Sequence, residues 1–170
     1  TFCEQQSILS GAIVLAFARV SSASQTASLQ MQQQKVTSYL DTLSANYEVV
    51  NAEIGSVQKG MLPSLSALIE HKYSARSNKR KRPIILAVHS FDRITRSSAD
   101  IPFLQQYVSC IIQCKQQQPN DLESVTTELI MPHEYPVHIA LAEAELTAMK
   151  QRAIRTSYAG DSVSGINREG

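Results

Sequence analysis

The chain alternates between short apolar runs and stripes of apolar residues at helical spacing. Ala12 to Ala18 and Ile84 to Val88 are nearly unbroken apolar runs. Runs of this length predict strands buried on both faces. Tyr47 to Asn51 reads as a second short strand. Val125 to Ile130 alternates, carries β-branched residues and predicts a fourth. Between the strands the period changes. Leu29, Gln32, Val36, Tyr39, Leu40 and Leu43 mark a helix over 28–45, with Ser28 as its N-cap. Pro63 suits the first turn of a second helix, which carries Leu65, Leu68 and Ile69 and fades near His71. Ser97 or Ser98 caps a long third helix striped by Leu104, Val108, Ile111 and Ile112 and ending within 116–120. Pro132 and Pro136 bracket a turn, and a last helix over 137–156 carries Ala142, Leu146, Met149 and Ala153.

Strand and helix therefore alternate four times. That order predicts an α/β fold: a mainly parallel central sheet of four to five strands, helices on both faces, and a long C-terminal helix. Residues 1–11 show no period and read as an N-terminal arm. Residues 12–156 form one domain, and 157–170, with Gly160 and Gly165, read as a flexible tail. A chain of 170 residues has room for one sizeable core. The run Ile8 to Val20 is too short to span a bilayer and is broken by Gly11 and Arg19. No basic region precedes it, so it is not read as a signal peptide. The first residue is Thr1 rather than Met, as expected of a processed or recombinant fragment.

Composition narrows the chemistry only a little. Cys3, Cys110 and Cys114 make no disulfide framework. Cys110 and Cys114 fall on one face of the predicted third helix without grouped His or Cys partners, so reduced thiols are expected rather than a zinc site. The net charge of +1 gives no vote for nucleic acid. The local exception is Lys79-Arg80-Lys81-Arg82, a basic run in the loop before the third strand. It suits DNA phosphates, a nuclear-localisation signal, or simple solvation.

The polar residues that follow the first and third predicted strands matter more. Arg19 and Ser21 end the first strand; Asp92, Arg93 and Arg96 follow the third. The carboxyl edge of an open α/β sheet is where ligands usually sit. A serine hydroxyl needs activation. His89 lies close to Asp92 in sequence, so Ser21, His89 and Asp92 make a conceivable hydrolase triad, though no Gly-x-Ser-x-Gly elbow is present. The arginines suggest different chemistry. Guanidinium groups grip phosphate oxygens in a planar fork and stabilise charge in a phosphoryl transition state. This reading has Ser21 attack a phosphodiester, with Asp92 orienting an arginine or assisting proton transfer. The alternative is that Arg19 and Arg93 merely pair with Asp92 and Glu53 on the surface.

Phe17-Ala18-Arg19-Val20-Ser21, followed by Gln25 and Ser28-Leu29-Gln30-Met31-Gln32, resembles the opening of the serine recombinase (resolvase/invertase) catalytic domain. Asp92-Arg93-Ile94-Thr95-Arg96 is similar to the family's Asp-Arg-x-x-Arg motif. Glu53-Ile54-Gly55-Ser56 resembles the insertion-sequence transposase branch. Ala142-Glu143-Ala144-Glu145, with Arg152 further on, resembles the start of the family's long dimerisation helix. The resemblance covers residues 12–156 in order. It implies that Ser21 is the nucleophile, cutting a DNA strand to give a 5′-phosphoserine. Strand exchange and religation follow, with no metal, ATP or other cofactor. Arg19, Arg93 and Arg96 would hold the scissile phosphate, with Gln25, Gln32 and Arg152 in support.

The implied partners are duplex DNA and further copies of the chain, a homodimer and then a tetramer in the active complex. No membrane and no small-molecule substrate is implied. The expected location is the cytoplasm, on the nucleoid, or the nucleus in a eukaryotic host. Two positions depart from the family pattern: Leu62 and Leu146 stand where arginines are expected. Lys59 or Arg152 could compensate. The departures motivate a second reading, a degenerate module that associates with DNA or oligomerises without cleaving. The last helix either packs its stripe on its own sheet or projects outward over Met149 to Thr156 to dimerise and reach DNA, the reading that Arg152 and Arg155 would suit.

Overall fold

A computed structural model describes residues 2–20, 23–50, 53–54, 60–74, 79–116 and 125–164. Its centre is a five-stranded sheet in the order β3-β1-β5-β6-β7. The strands are β1 (Ile13–Ala16), β3 (Tyr47–Val49), β5 (Ile84–Val88), β6 (Cys110–Gln116) and β7 (Val125–Ile130). The first four run parallel, and β7 returns antiparallel along β6. β1 and β5 lie side by side, with Leu15 opposite Leu86 and Ala16 opposite Ala87. A separate two-stranded ribbon joins β2 (Arg19–Val20) to β4 (Glu53–Ile54) in parallel.

Helices cover both faces. Alternate residues of β1 and β5 point to opposite sides, which divides the core in two. Leu15, Phe17, Leu86 and Val88 face a cluster that includes Leu65 and Ile69 of α3 (Pro63–Ser74), Leu104 of α4 (Ile101–Tyr107), and Tyr135 and Ile139 of α5 (Tyr135–Ser164). Val14, Ala16, Ile85 and Ala87 face Leu9 of α1 (Phe2–Ser10) and Val36 and Leu40 of α2 (Thr26–Thr42). The mainly parallel α/β architecture is the expected one. Among the described residues, no helix is long and apolar enough to cross a membrane.

Several element boundaries differ from the sequence reading. The segment expected as an arm is α1, tied down by Leu9 in the core and by Gln5 and Gln6, which donate to Thr127 Oγ1 (3.4 Å) and the Leu43 carbonyl (3.3 Å). The first strand is shorter than 12–18, because the chain leaves the main sheet at Phe17 and re-pairs at Arg19 in the ribbon. The second ends at Val49. The first predicted helix starts at Thr26 after an N-cap at Gln25, not Ser28, and ends at Thr42.

The largest correction concerns the long third helix. It is the short α4 followed by strand β6, so strand and helix do not alternate to the end. Cys110 to Cys114 is buried at every position, and a fully buried strand shows no alternation that would separate it from a helix stripe. Cys110 and Cys114 thus lie on a strand, against α1 and α2, where burial lifts their thiols to about 11 and about 12. Finally, α5 extends beyond 156 to Ser164, with Pro136 in its first turn. Its burial ends at Ala142, and every side chain from Met149 to Ala159 is exposed.

Candidate active site

The parallel register of β1 and β5 fixes the site. The Phe17 N–H donates to the Ala87 carbonyl (2.9 Å), so the two chains are still paired where β1 ends. Arg19 lies two residues beyond this bond, in β2, and is only 1% exposed. Arg19 is therefore inside the protein rather than on its surface, and the ribbon register sets it opposite Glu53. Ser21 lies outside the described residues. From β5 the chain passes through His89 and Ser90 into a tight 3-10 turn, Phe91–Arg93. Phe91, Ile94 and Thr95 are buried, which leaves Asp92, Arg93 and Arg96 half-buried at the same carboxyl edge.

The carboxylate and arginines form one unit. The Ser90 hydroxyl donates to Asp92 Oδ1, and Arg96 Nη2 donates to Asp92 Oδ2 at 3.1 Å. Burial by itself raises the Asp92 carboxyl. The bonds from Ser90 and Arg96, with the charges of Arg93 and Arg96, outweigh it and hold the group below its ordinary value. Asp92 is thus a carboxylate that aims Arg96, not a proton donor at neutral pH. Arg93 and Arg96 each keep a buried Nε–H with no partner among the described residues. These are donors to which an anion could bind at little further desolvation cost.

His89 is held neutral. Burial lowers its pKa first, and the charges of Lys35 and Arg93 add to this. Its Nδ1 is buried with no partner among the described residues, and none of their hydrogen bonds links it to Asp92, as a triad would require. A stability prediction follows. Between the depressed folded pKa and the ordinary 6.5, the unfolded chain binds a proton that the folded chain refuses. Stability therefore falls as the pH drops below about 6.5, and His89→Gln makes the melting temperature less pH-dependent there. The Asp92 contribution is lost only on acidification below 3.8, so the two windows separate. A variant with the unaltered profile between pH 7.5 and 5 would exclude His89 as the source.

The remaining candidates are dispersed. Gln32 is buried on α2, its Nε2 donating to Ser28 Oγ at 3.4 Å and its Oε1 left without a partner among the described residues. Gln25 is exposed at the entry to α2. Leu62 packs against the core, and Leu146 is partly buried on α5. Lys59 lies outside the described residues. Arg152 and Arg155 are exposed on the outer half of α5; Arg152 is 17 residues beyond Tyr135, about 25 Å along the helix. Arg152 lies seven residues beyond Glu145, which borders the same cleft as Asp92. Lys79, Arg80, Lys81 and Arg82 precede β5 and so lie at the opposite, amino end of the sheet, about 17 Å away over a five-residue strand. Arg82 is tied there by donating to the carbonyls of Ala12 (2.6 Å) and Gly11 (3.4 Å).

The structure adds residues that the sequence reading passed over. Asp100 Oδ2 accepts from the Thr95 hydroxyl and from the Met61 N–H (2.8 Å), and Thr95 Oγ1 accepts from the Ser97 N–H (3.0 Å). This pins the far end of the arginine segment to the loop that opens α3. The neighbouring Gly60 has φ 94°, a conformation that favours glycine, and a Cβ there would lie 3.0 Å from that carboxylate. At the near end, Gln113 of β6 is 2% exposed, and its Oε1 accepts from the Phe91 N–H at 2.7 Å. An amide inside Ile111-Ile112-Gln113-Cys114 was the available signal, hidden by the helical reading of that run.

Comparison with known proteins places this site in context. A search of the curated proteins finds no match. Among solved structures, the catalytic domain of ISC1926 TnpA, an IS607-like serine recombinase, is 22% identical over 56% of this chain, with a TM-score of 0.44. This chain covers 62% of that structure. The catalytic domain of IS1535 TnpA, also an IS607-like serine recombinase, is 26% identical over 65% of this chain and 74% of its own, with a TM-score of 0.45. A resolvase family site-specific recombinase from Streptococcus pneumoniae is 17% identical over 91% of this chain and 97% of its own, with a TM-score of 0.45. The family description "Resolvase, N terminal domain" matches residues 14–160, and the chain belongs to that family.

Proposed function

We propose that this domain cleaves and rejoins DNA as a serine recombinase, with Ser21 as the nucleophile. The observation that carries this reading is the β1–β5 register, which ends the strands that lead into Arg19 and into Asp92-Arg93-Ile94-Thr95-Arg96 at one edge of the sheet. The Ser21 oxygen attacks phosphorus, the bond to the 3′ oxygen breaks, and the 5′ end stays on the protein as a phosphoserine. The serine proton leaves as the bond forms, and the 3′ oxygen takes up a proton as it departs. One phosphate diester replaces another, so the reverse attack by a 3′ hydroxyl rejoins the strand without an external energy source. Arg19, Arg93 and Arg96 hold the phosphate and stabilise the charge that builds on its oxygens, while Asp92 keeps Arg96 aimed. Gln25 and Gln32 support the nucleophile's side of the site. Oligomerisation through the exposed outer half of α5, first to a dimer and then to a tetramer, would bring Arg152 and Arg155 to DNA.

The test is a duplex with a nick beside the cleavage point, so that the cut fragment diffuses away and the covalent adduct accumulates. An adduct on the 5′ end supports the reading. DNA binding by an oligomer with no adduct on any duplex supports the degenerate module, for which Leu62 and Leu146 are the motive.

The basic run calls for a separate expectation. Because Lys79, Arg80 and Lys81 lie at the amino end of the sheet, any DNA they touch is not the phosphate held by Arg93. Each phosphate they neutralise contributes about 0.9 to the slope of log affinity against log salt. Replacing all three with alanine weakens DNA binding and makes that slope shallower by up to about 2.7. An unaltered slope assigns the loop to solvent.

A further inference from the structure

We propose that Gln113, paired with Glu128, is a positioning residue for the arginine segment, setting Arg93 and Arg96 through the Phe91 backbone. The inference rests on the recombinase reading for what the segment does, but its geometry stands by itself. The β5–β6 ladder ends at Val88, whose partner is Gln113. Beyond that point the backbone can no longer guide the chain, and the Gln113 side chain takes over. Its Oε1 accepts from the Phe91 N–H (2.7 Å), and its Nε2 donates to Glu128 Oε2 (3.1 Å). Glu128 is the residue opposite Gln113 across the β6–β7 pair. The amide cannot be turned round: Phe91 offers a donor and Glu128 an acceptor, so both ends are specified.

The cost of burying this group argues against simple packing. Gln113 is 2% exposed in a strand paired on both sides, where an apolar side chain would fill the space without desolvating an amide. Its two bonds offset that cost only as a pair, because leaving either end unmade costs more than a made bond contributes. The Phe91 ring is held as well. It stacks on His138 (5.4 Å, 29°) and tilts against Tyr135 (6.1 Å), whose hydroxyl donates to the Val108 carbonyl at 2.8 Å. Phe91 is thus fixed by its backbone to β6 and by its ring to α5. Asp92 follows it directly, and an open cleft of about 490 Å³ beside it is bordered by Ser90, Gln113, Glu128 and Glu145.

The pair can be reversed, which gives the test. Gln113→Glu sets two carboxylates against each other, whereas Gln113→Glu with Glu128→Gln restores both bonds with the donor on the other side. Three quantities are measured: amide exchange at Phe91, DNA affinity, and the rate of adduct formation at saturating DNA. Gln113→Glu is expected to speed Phe91 exchange and to slow adduct formation, each about tenfold or more, with DNA affinity within about threefold of the parent. The double variant is expected to return exchange and rate to within about threefold. Gln113→Met, which accepts nothing from Phe91, should fail like Gln113→Glu and should not be rescued by Glu128→Gln. A double variant that leaves Phe91 exchange fast overturns the pairing. Fast exchange in the single variants with an unaltered adduct rate overturns the positioning role. A parent protein that forms no adduct refutes the recombinase reading instead, and the exchange measurements still decide the pairing.

Discussion

Ser21→Ala is expected to abolish the covalent protein–DNA adduct, by about 10⁴-fold or more, while leaving DNA binding intact. The substitution removes one oxygen and no charge. Affinity for a polyanion rests on cations, so it should survive; the nucleophile has no substitute at the same position, so the chemistry should not. Ser22 is the proper control, since it carries the same hydroxyl one residue on. Ser22→Ala should keep the adduct. If Ser22→Ala lost it and Ser21→Ala did not, the nucleophile assignment would be wrong and the site would need to be rebuilt around Ser22. Mapping the modified peptide after protease digestion gives the same answer independently.

Arg93→Gln and Arg96→Gln should each slow adduct formation by about 10² to 10³, the usual loss when one preorganised donor to a developing charge is removed. The two differ in a second effect. Arg96 donates to Asp92 (3.1 Å), so its loss also leaves a half-buried carboxylate with the Ser90 hydroxyl as its remaining bond and the charge of Arg93 nearby. Arg96→Gln should therefore lower the melting temperature as well as the rate, whereas Arg93→Gln lowers chiefly the rate. Asp92→Asn should have the smaller effect on rate, because it leaves both guanidinium groups in place. The double arginine variant should fall short of the product of the singles, since both serve one phosphate. Single-turnover adduct rates at saturating DNA measure all four. Parental rates in both arginine variants would take the phosphate site away from this segment.

Much of this was legible in the chain. The runs at Ala12 and Ile84 and the stripes over α2 and α3 marked the sheet and its helices because each element repeats its own period. The candidate site was legible for a related reason. Strand ends carry the polar residues that the sheet interior cannot, so Arg19 and Asp92 to Arg96 stood out against apolar neighbours. The reading failed where period carries no information. Cys110 to Cys114 is buried on both faces, so strand β6 read as the continuation of a helix, and Gln113 was lost with it. Residues 2–10 failed for the opposite reason: α1 has little apolar stripe of its own and is held by Leu9 and two glutamine bonds to distant parts of the chain.

The sequence by itself determined the fold class, the family resemblance and the residue types of the candidate site, because these depend on local period and on side-chain chemistry. Only the tertiary structure decided which of those residues meet. It set β1 beside β5 so that Arg19 and the arginine segment share one edge, and it put Lys79 to Arg82 at the other end of the same strands. It also left Arg152 exposed on the outer half of α5. It gave Phe91 a buried amide partner 22 positions away, a contact that no local pattern encodes, since hydrogen-bond geometry is fixed by strand register rather than by neighbours in the chain.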